Sequence, residues 1–181
     1  MGLAFLQLET AERQLYFQQA ALQRSLQPAI IEKDFWVCWL LALLFEHPEF
    51  NNALVFKGGT SLSKVYGVIQ RFSEDIDLSI APTFLGVAEE EGDRAPNRTQ
   101  RDRWMKQLQR ACADAVRMRV QPELERAIVG VLGSRSEREP WTRFTMDEVS
   151  DSPVVLFRYP VTQTDGFPYL LRAVKMEFGS L

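Results

Sequence analysis

The chain has 181 residues, with 24 acidic and 21 basic side chains, a formal net charge of −3, 46% hydrophobic and 25% charged residues. This is an ordinary globular composition, long enough for one domain with its own core and too short for a multidomain machine. The longest strongly apolar stretch, residues 35–45, falls short of the roughly 20 residues that cross a bilayer, and residues 1–19 lack the pattern of an export signal, so a cytoplasmic location is expected.

Residues 4–22 read as one amphipathic helix, with Leu6, Leu8, Ala11, Leu15 and residues 20–22 on or near one side. Residues 28–45 read as a second, far more apolar helix, expected at the centre of a helical layer. Residues 1–50 are thus predicted to be a helical layer packed on a core formed by residues 51–181. The only histidine, His47, stands beside Pro48 after this helix, a poor place to build a histidine-based mechanism. Asn51 and Asn52 make a turn, and residues 53–56 form a short apolar strand. Gly58 and Gly59 break the strand, after which Thr60 or Ser61 is suited to cap a helix running to about Ile69.

In residues 75–80 acidic and apolar side chains alternate, which puts Asp75 and Asp77 on one strand face and Ile76, Leu78 and Ile80 on the other. Residues 86–99 read as an exposed loop, and a long helix is expected over residues 100–127, with Trp104, Leu108, Ala111, Cys112 and Ala115 as its buried stripe. Between Arg94 and Arg119 eight basic residues face two acidic ones. Such a run is either a solvated face or a surface for a polyanion. Strands are predicted over residues 153–159 and 169–178, joined by a turn near Asp165 and Gly166, with Lys175 and Glu177 on one face of the second. Cys38 and Cys112 sit among apolar residues without Cys or His partners nearby, so they read as buried thiols rather than zinc ligands or a disulfide.

Three of these pieces carry chemistry. Two carboxylates at i and i+2 on a rigid strand form a bed for magnesium, a hard cation commonly shared with substrate phosphates. Glu177 from another strand would complete the set, allowing a second metal. The Gly58–Gly59 turn and the following helix start, with Thr60 and Ser61, suit close approach of backbone amides to a triphosphate, and Lys175 is placed to neutralise it. Arg71 and Ser73, just before the acidic strand, either steer the triphosphate or cap the strand. Lys33 and Asp34 at the start of the second helix, and Lys57 and Lys64, read chiefly as structural or solvated charges.

The run Phe56-Lys57-Gly58-Gly59-Thr60-Ser61-Leu62-Ser63-Lys64-Val65-Tyr66, followed by Arg71-Phe72-Ser73-Glu74-Asp75-Ile76-Asp77-Leu78, resembles the motif of the AbiEii/AbiGii-type nucleotidyltransferase toxins, in the polymerase-beta-like superfamily. The segment Ile31-Glu32-Lys33-Asp34-Phe35-Trp36 is similar to the helix that precedes that motif, and Lys175-x-Glu177 matches the family's later strand. The resemblance implies an α+β fold, a nucleotidyltransferase-like mixed β-sheet flanked by helices. It also implies magnesium, a nucleoside triphosphate, and transfer of a nucleoside monophosphate to an acceptor, in some relatives tRNA. In this reading Asp75, Asp77 and Glu177 are catalytic metal ligands, while Gly58, Gly59, Thr60, Ser61, Ser73 and Lys175 bind the nucleotide. It further implies a toxin neutralised by a cognate antitoxin protein and acting in phage defence. Family chains continue into a helical carboxy-terminal half, so this sequence, stopping at Leu181, is expected to be a fragment or reduced member. Two expectations follow: a homodimer covering the exposed core faces, and, as the alternative function, a non-catalytic nucleotide- or partner-binding toxin module.

Overall fold

The computed structural model describes residues 3–57, 75–87, 97–163 and 171–180, and among these residues five short strands join in one mixed sheet. The strands are β1 (Leu54–Lys57), β2 (Asp75–Ile80), β3 (Thr142–Met146), β4 (Pro153–Phe157) and β5 (Val174–Ser180), in the order β1-β2-β5-β4-β3. β2 and β5 run parallel, whereas β1–β2, β5–β4 and β4–β3 are antiparallel. One face of the sheet is apolar: Ile76, Leu78 and Ile80 of β2, Val155 and Phe157 of β4, and Val174, Met176 and Phe178 of β5 are each 0% exposed. Full burial of an aliphatic or aromatic side chain of this size contributes about 1.5–3 kcal/mol. This apolar row therefore fixes strand register, because a one-residue slip would exchange it for the polar row.

Five α-helices accompany the sheet among the described residues: α1 (Leu3–Leu6), α2 (Thr10–Arg24), α3 (Pro28–Glu46), α4 (Arg98–Ala115) and α5 (Gln121–Leu132). α3 starts with Pro28 in its first turn, where the missing N–H costs no hydrogen bond. Its Trp36, Val37, Leu40 and Leu44 join Cys112 of α4 and Leu124 and Ile128 of α5 in the core over the apolar sheet face. Trp36 meets Phe157 edge-on at 5.8 Å and stacks on Tyr159 at 5.9 Å, which binds α3 to β4. No described helix is long and apolar enough to cross a membrane.

Several predicted elements change in the structure. The first helix is two: Glu9 is extended, its N–H donates to the Glu12 carboxylate at 3.3 Å, and the chain restarts as α2. The buried side of α2 is Phe17 and Ala21, whereas Leu15 and Leu22 are 59% and 82% exposed. The cause is an aromatic nucleus in which Phe5, Phe17 and Phe35 pack with ring centroids 4.9–5.7 Å apart.

The long helix starts two residues early and is interrupted by a π-helical turn, Val116–Val120, before α5. Pro122 explains the turn: it supplies no N–H to the preceding turn, and the ladder widens so that the Gln121 N–H reaches the Val116 carbonyl. In α4 the buried stripe is Leu108, Cys112 and Ala115, with Trp104 and Ala111 half-buried. β1 and β5 lie slightly later than predicted, and β3 was not expected at all. The predicted helix from Thr60, the turn at Asp165 and Gly166, and most of the loop over residues 86–99 lie outside the described residues.

Candidate functional site

The polar face of the sheet is built by strand parity. In the parallel β2–β5 ladder Asp75 pairs with Lys175 and Asp77 with Glu177, while on the other side of β2 Lys57 pairs with Asp77. Paired residues on neighbouring strands share a face and stand about 5 Å apart. Three carboxylates and two ammonium groups therefore occupy adjoining positions on three strands. Asp75 is exposed and Asp77 and Glu177 are half-buried, in contrast with the fully buried Ile76, Leu78 and Met176 between them. The parity predicted for Asp75, Asp77, Lys175 and Glu177 is the parity found.

Electrostatics set Asp77 apart. Burial, and then the neighbouring Glu177 charge, raise its carboxyl above the ordinary value of 3.8, while Lys57 and Lys175 pull it back. A carboxylate held up by desolvation and a like charge is one whose ionised form gains from an added cation. Among the described residues no three His, Cys, Asp or Glu side chains are gathered as a ready cage for a metal ion. Asp75, Asp77 and Glu177 nevertheless supply hard oxygen donors, the kind magnesium takes, from two neighbouring interior strands.

The loop between β3 and β4 adds two groups. Lys175 Nζ donates to Asp147 Oδ2 at 2.9 Å and lies 3.0 Å from Glu177 Oε2. Ser150 Oγ donates to Glu177 Oε1 at 3.1 Å. Asp147 Oδ1 in turn accepts the N–H groups of Val149 and Ser150, both at 3.0 Å, which folds the loop into a tight turn. The Ser150 amide and the Lys175 ammonium hold the Asp147 carboxyl far below its ordinary range, and Asp147 foremost holds the Lys175 ammonium well above its own. Lys175 is thus a permanently charged post shared by two carboxylates.

Other predicted groups fall elsewhere. Gly58, Gly59, Thr60, Ser61 and Ser73, with Lys64 and Arg71, lie outside the described residues. Lys33 is 1% exposed and donates to the Leu171 carbonyl at 3.1 Å. Its neighbour Glu32, equally buried, accepts from Thr162 N at 2.7 Å, Thr162 Oγ1 at 2.8 Å and Gln163 N at 3.1 Å. These two α3 residues grip the chain on the way from β4 to β5, upstream of Lys175. His47 stacks on Phe50 at 4.3 Å, a structural role.

Sequence reading missed Asp147, Ser150 and Glu32. Asp147 and Ser150 had a turn signal in Asp147-Glu148-Val149-Ser150, but nothing local aims them at β5. On α4, Arg103, Lys106 and Arg110 line a cavity of about 550 Å³ with Gln107, Ala111 and Asp114, which gives the basic run a defined surface.

No curated protein and no solved structure matches the chain. A family model does, over residues 39–181, and it describes the nucleotidyl transferase AbiEii toxin of a type IV toxin–antitoxin system. The matched segment spans β1 to β5 and holds every carboxylate and lysine of the polar sheet face. The chain belongs to the AbiEii nucleotidyl transferase toxin family.

Proposed function

We propose that this chain is a magnesium-dependent nucleotidyltransferase toxin that transfers a nucleoside monophosphate from a nucleoside triphosphate to an RNA acceptor, tRNA being the candidate. The observation that carries this reading is the in-register pairing of Asp75-x-Asp77 with Lys175-x-Glu177 on parallel neighbours. Asp75, Asp77 and Glu177 would hold the magnesium, which when bound supplies charge neutralisation at the phosphates and acidifies a nearby hydroxyl.

The protein's own groups do the rest. Lys175, kept charged by Asp147, faces the departing phosphates, and Gly58, Gly59, Thr60, Ser61 and Ser73 complete their cradle. The acceptor hydroxyl oxygen attacks the α-phosphorus as the bond to pyrophosphate breaks, and its proton passes to solvent water, or to Glu177 where that carboxylate serves as base instead of metal ligand. The cationic face at Arg103, Lys106 and Arg110, with Asp114 as the one acidic residue lining the same cavity, supports an RNA acceptor, because a cationic helix face draws a polyanion by steering and counterion release. A cognate antitoxin is the expected protein partner, in keeping with the family's type IV system.

Label transfer tests this reading. Protein, magnesium, total RNA and each α-labelled triphosphate are incubated with wild type and with Asp77→Asn. Label on RNA from one or two nucleotides, absent in the variant, is the expected result. No label, with triphosphate binding intact, would replace the enzyme by a nucleotide-binding module.

A further inference from the structure

Lys57 is the last residue of β1, an edge strand four residues long, and sequence alone reads it as a solvated charge. The structure puts its head group elsewhere. A Cβ built on Gly179 of β5 would stand 3.2 Å from Lys57 Nζ. β2 lies between β1 and β5 in the sheet, so the lysine spans the whole width of β2 to reach that point. Register fixes the path: Lys57 pairs with Asp77, and Gly179 pairs with Ser79, the next β2 residue on the same face. The ammonium group thus ends over Gly179, one residue pair along the same sheet face from Asp77 and Glu177.

Gly179 has no conformational reason to be glycine. It lies in regular strand, and the positive-φ glycines among the described residues are Gly86 and Gly133. A glycine within a strand weakens it and marks close approach by another group; here that group is Lys57 Nζ. Among the described residues no hydrogen bond or ion pair engages this ammonium, in contrast with Lys175, which is held by Asp147 and Glu177. One lysine of the row is clamped, and the other has three N–H donors to offer to an anion.

We propose that Lys57 is a second phosphate-binding cation of the nucleotide site, and that position 179 is glycine to leave room for its ammonium group. The proposal rests on the nucleotidyltransferase reading and adds a residue to it. Two lysines, one from each strand flanking β2, then bracket the carboxylate row, Lys175 as a fixed charge and Lys57 as the adjustable one.

The test is binding of each of the four magnesium nucleoside triphosphates, and of the matching nucleoside, to the full chain by calorimetry. Lys57→Met is expected to weaken triphosphate binding by roughly 10- to 100-fold, the effect of losing a hydrogen bond to a charged group, with nucleoside binding unchanged. Lys57→Arg should restore part of it. Gly179→Val keeps Lys57 but fills its seat with a side chain that favours strands, and should reproduce most of the loss; Gly179→Ala should give a smaller one. Circular dichroism and melting confirm that each variant folds. Triphosphate binding by folded Lys57→Met within about twofold of wild type would overturn the proposal alone. If wild type binds none of the four triphosphates, the nucleotidyltransferase reading falls, and this assignment with it.

Discussion

Lys175 Nζ and Asp147 Oδ2 are 2.9 Å apart, across the gap between β5 and the β3–β4 loop, and each holds the other in its charged form. An acid whose folded value is depressed contributes stability at pH above its unfolded value, and that contribution fades as pH falls through the folded one. Wild type should therefore lose stability as pH drops below about 4, the ordinary value being 3.8. Asp147→Asn, which keeps the oxygen that accepts the loop amides, should flatten this acid limb while lowering the neutral-pH melting temperature only slightly. Urea melts between pH 3 and 7 read both effects. An acid limb of unchanged slope in the variant would refute the pairing.

Asp77 carries the opposite sign. Its carboxyl is raised by burial and by Glu177, so its ionisation opposes folding and does so increasingly as pH climbs above 3.8. Asp77→Asn should leave the melting temperature equal or higher while abolishing label transfer, a loss on the order of 100-fold or more. Added magnesium should raise the melting temperature of wild type and not of the variant, by mass action on the native state. Scanning calorimetry with and without the ion decides this.

Glu32 accepts three hydrogen bonds while fully buried. Glu32→Ala would strand the Thr162 and Gln163 donors and should cost about 2–5 kcal/mol in chemical denaturation. Glu32→Gln, which retains one acceptor oxygen, should cost less. An alanine variant within 0.5 kcal/mol of wild type, on the order of a surface substitution, would show that the grip on the β4–β5 connection carries no weight.

Cys112 is 1% exposed, and burial pushes its thiol up to about 11, against a small opposing effect of Lys57. The folded state thus favours the neutral thiol, and stability should decline as pH rises from about 9 toward 11. At pH 8 an alkylating reagent should modify half-buried Cys38 ahead of Cys112, with both modified after unfolding. Mass spectrometry of timed samples checks the order.

Period-two alternation is enough to sort the residues of β2 and β5 between the two faces of this sheet. The parity of residues 75–80 and 174–178 alone puts Asp75, Asp77, Lys175 and Glu177 on one face and their apolar neighbours on the other. β3 was not readable in that way. Thr142–Met146 has only Phe144 and Met146 as apolar members, and it is held from outside, by Glu125 of α5 accepting from Trp141 N, Thr142 N and Thr142 Oγ1 at 2.5–3.0 Å. Asp147, Ser150 and the seat of Lys57 were hidden for the same reason: each depends on a residue more than 25 positions away in the chain. The α2 stripe held at Ala21 but not at Leu15 and Leu22, because Leu15 and Phe17 competed for the interior and three mutually packed phenylalanines decided the contest.

The π-helical turn at Val116–Val120 acts as a phase shifter between two parts of one rod. A π turn holds one residue more than an α turn, and each residue of an α-helix advances the azimuth by about 100°. Deleting one residue from this turn would swing the side of α4 that bears Arg103, Lys106 and Arg110 by about that angle relative to α5, which is anchored to β3 through Glu125. Where the cationic surface points is thus set by a single inserted residue, and a lineage could redirect it in one step without altering a charge.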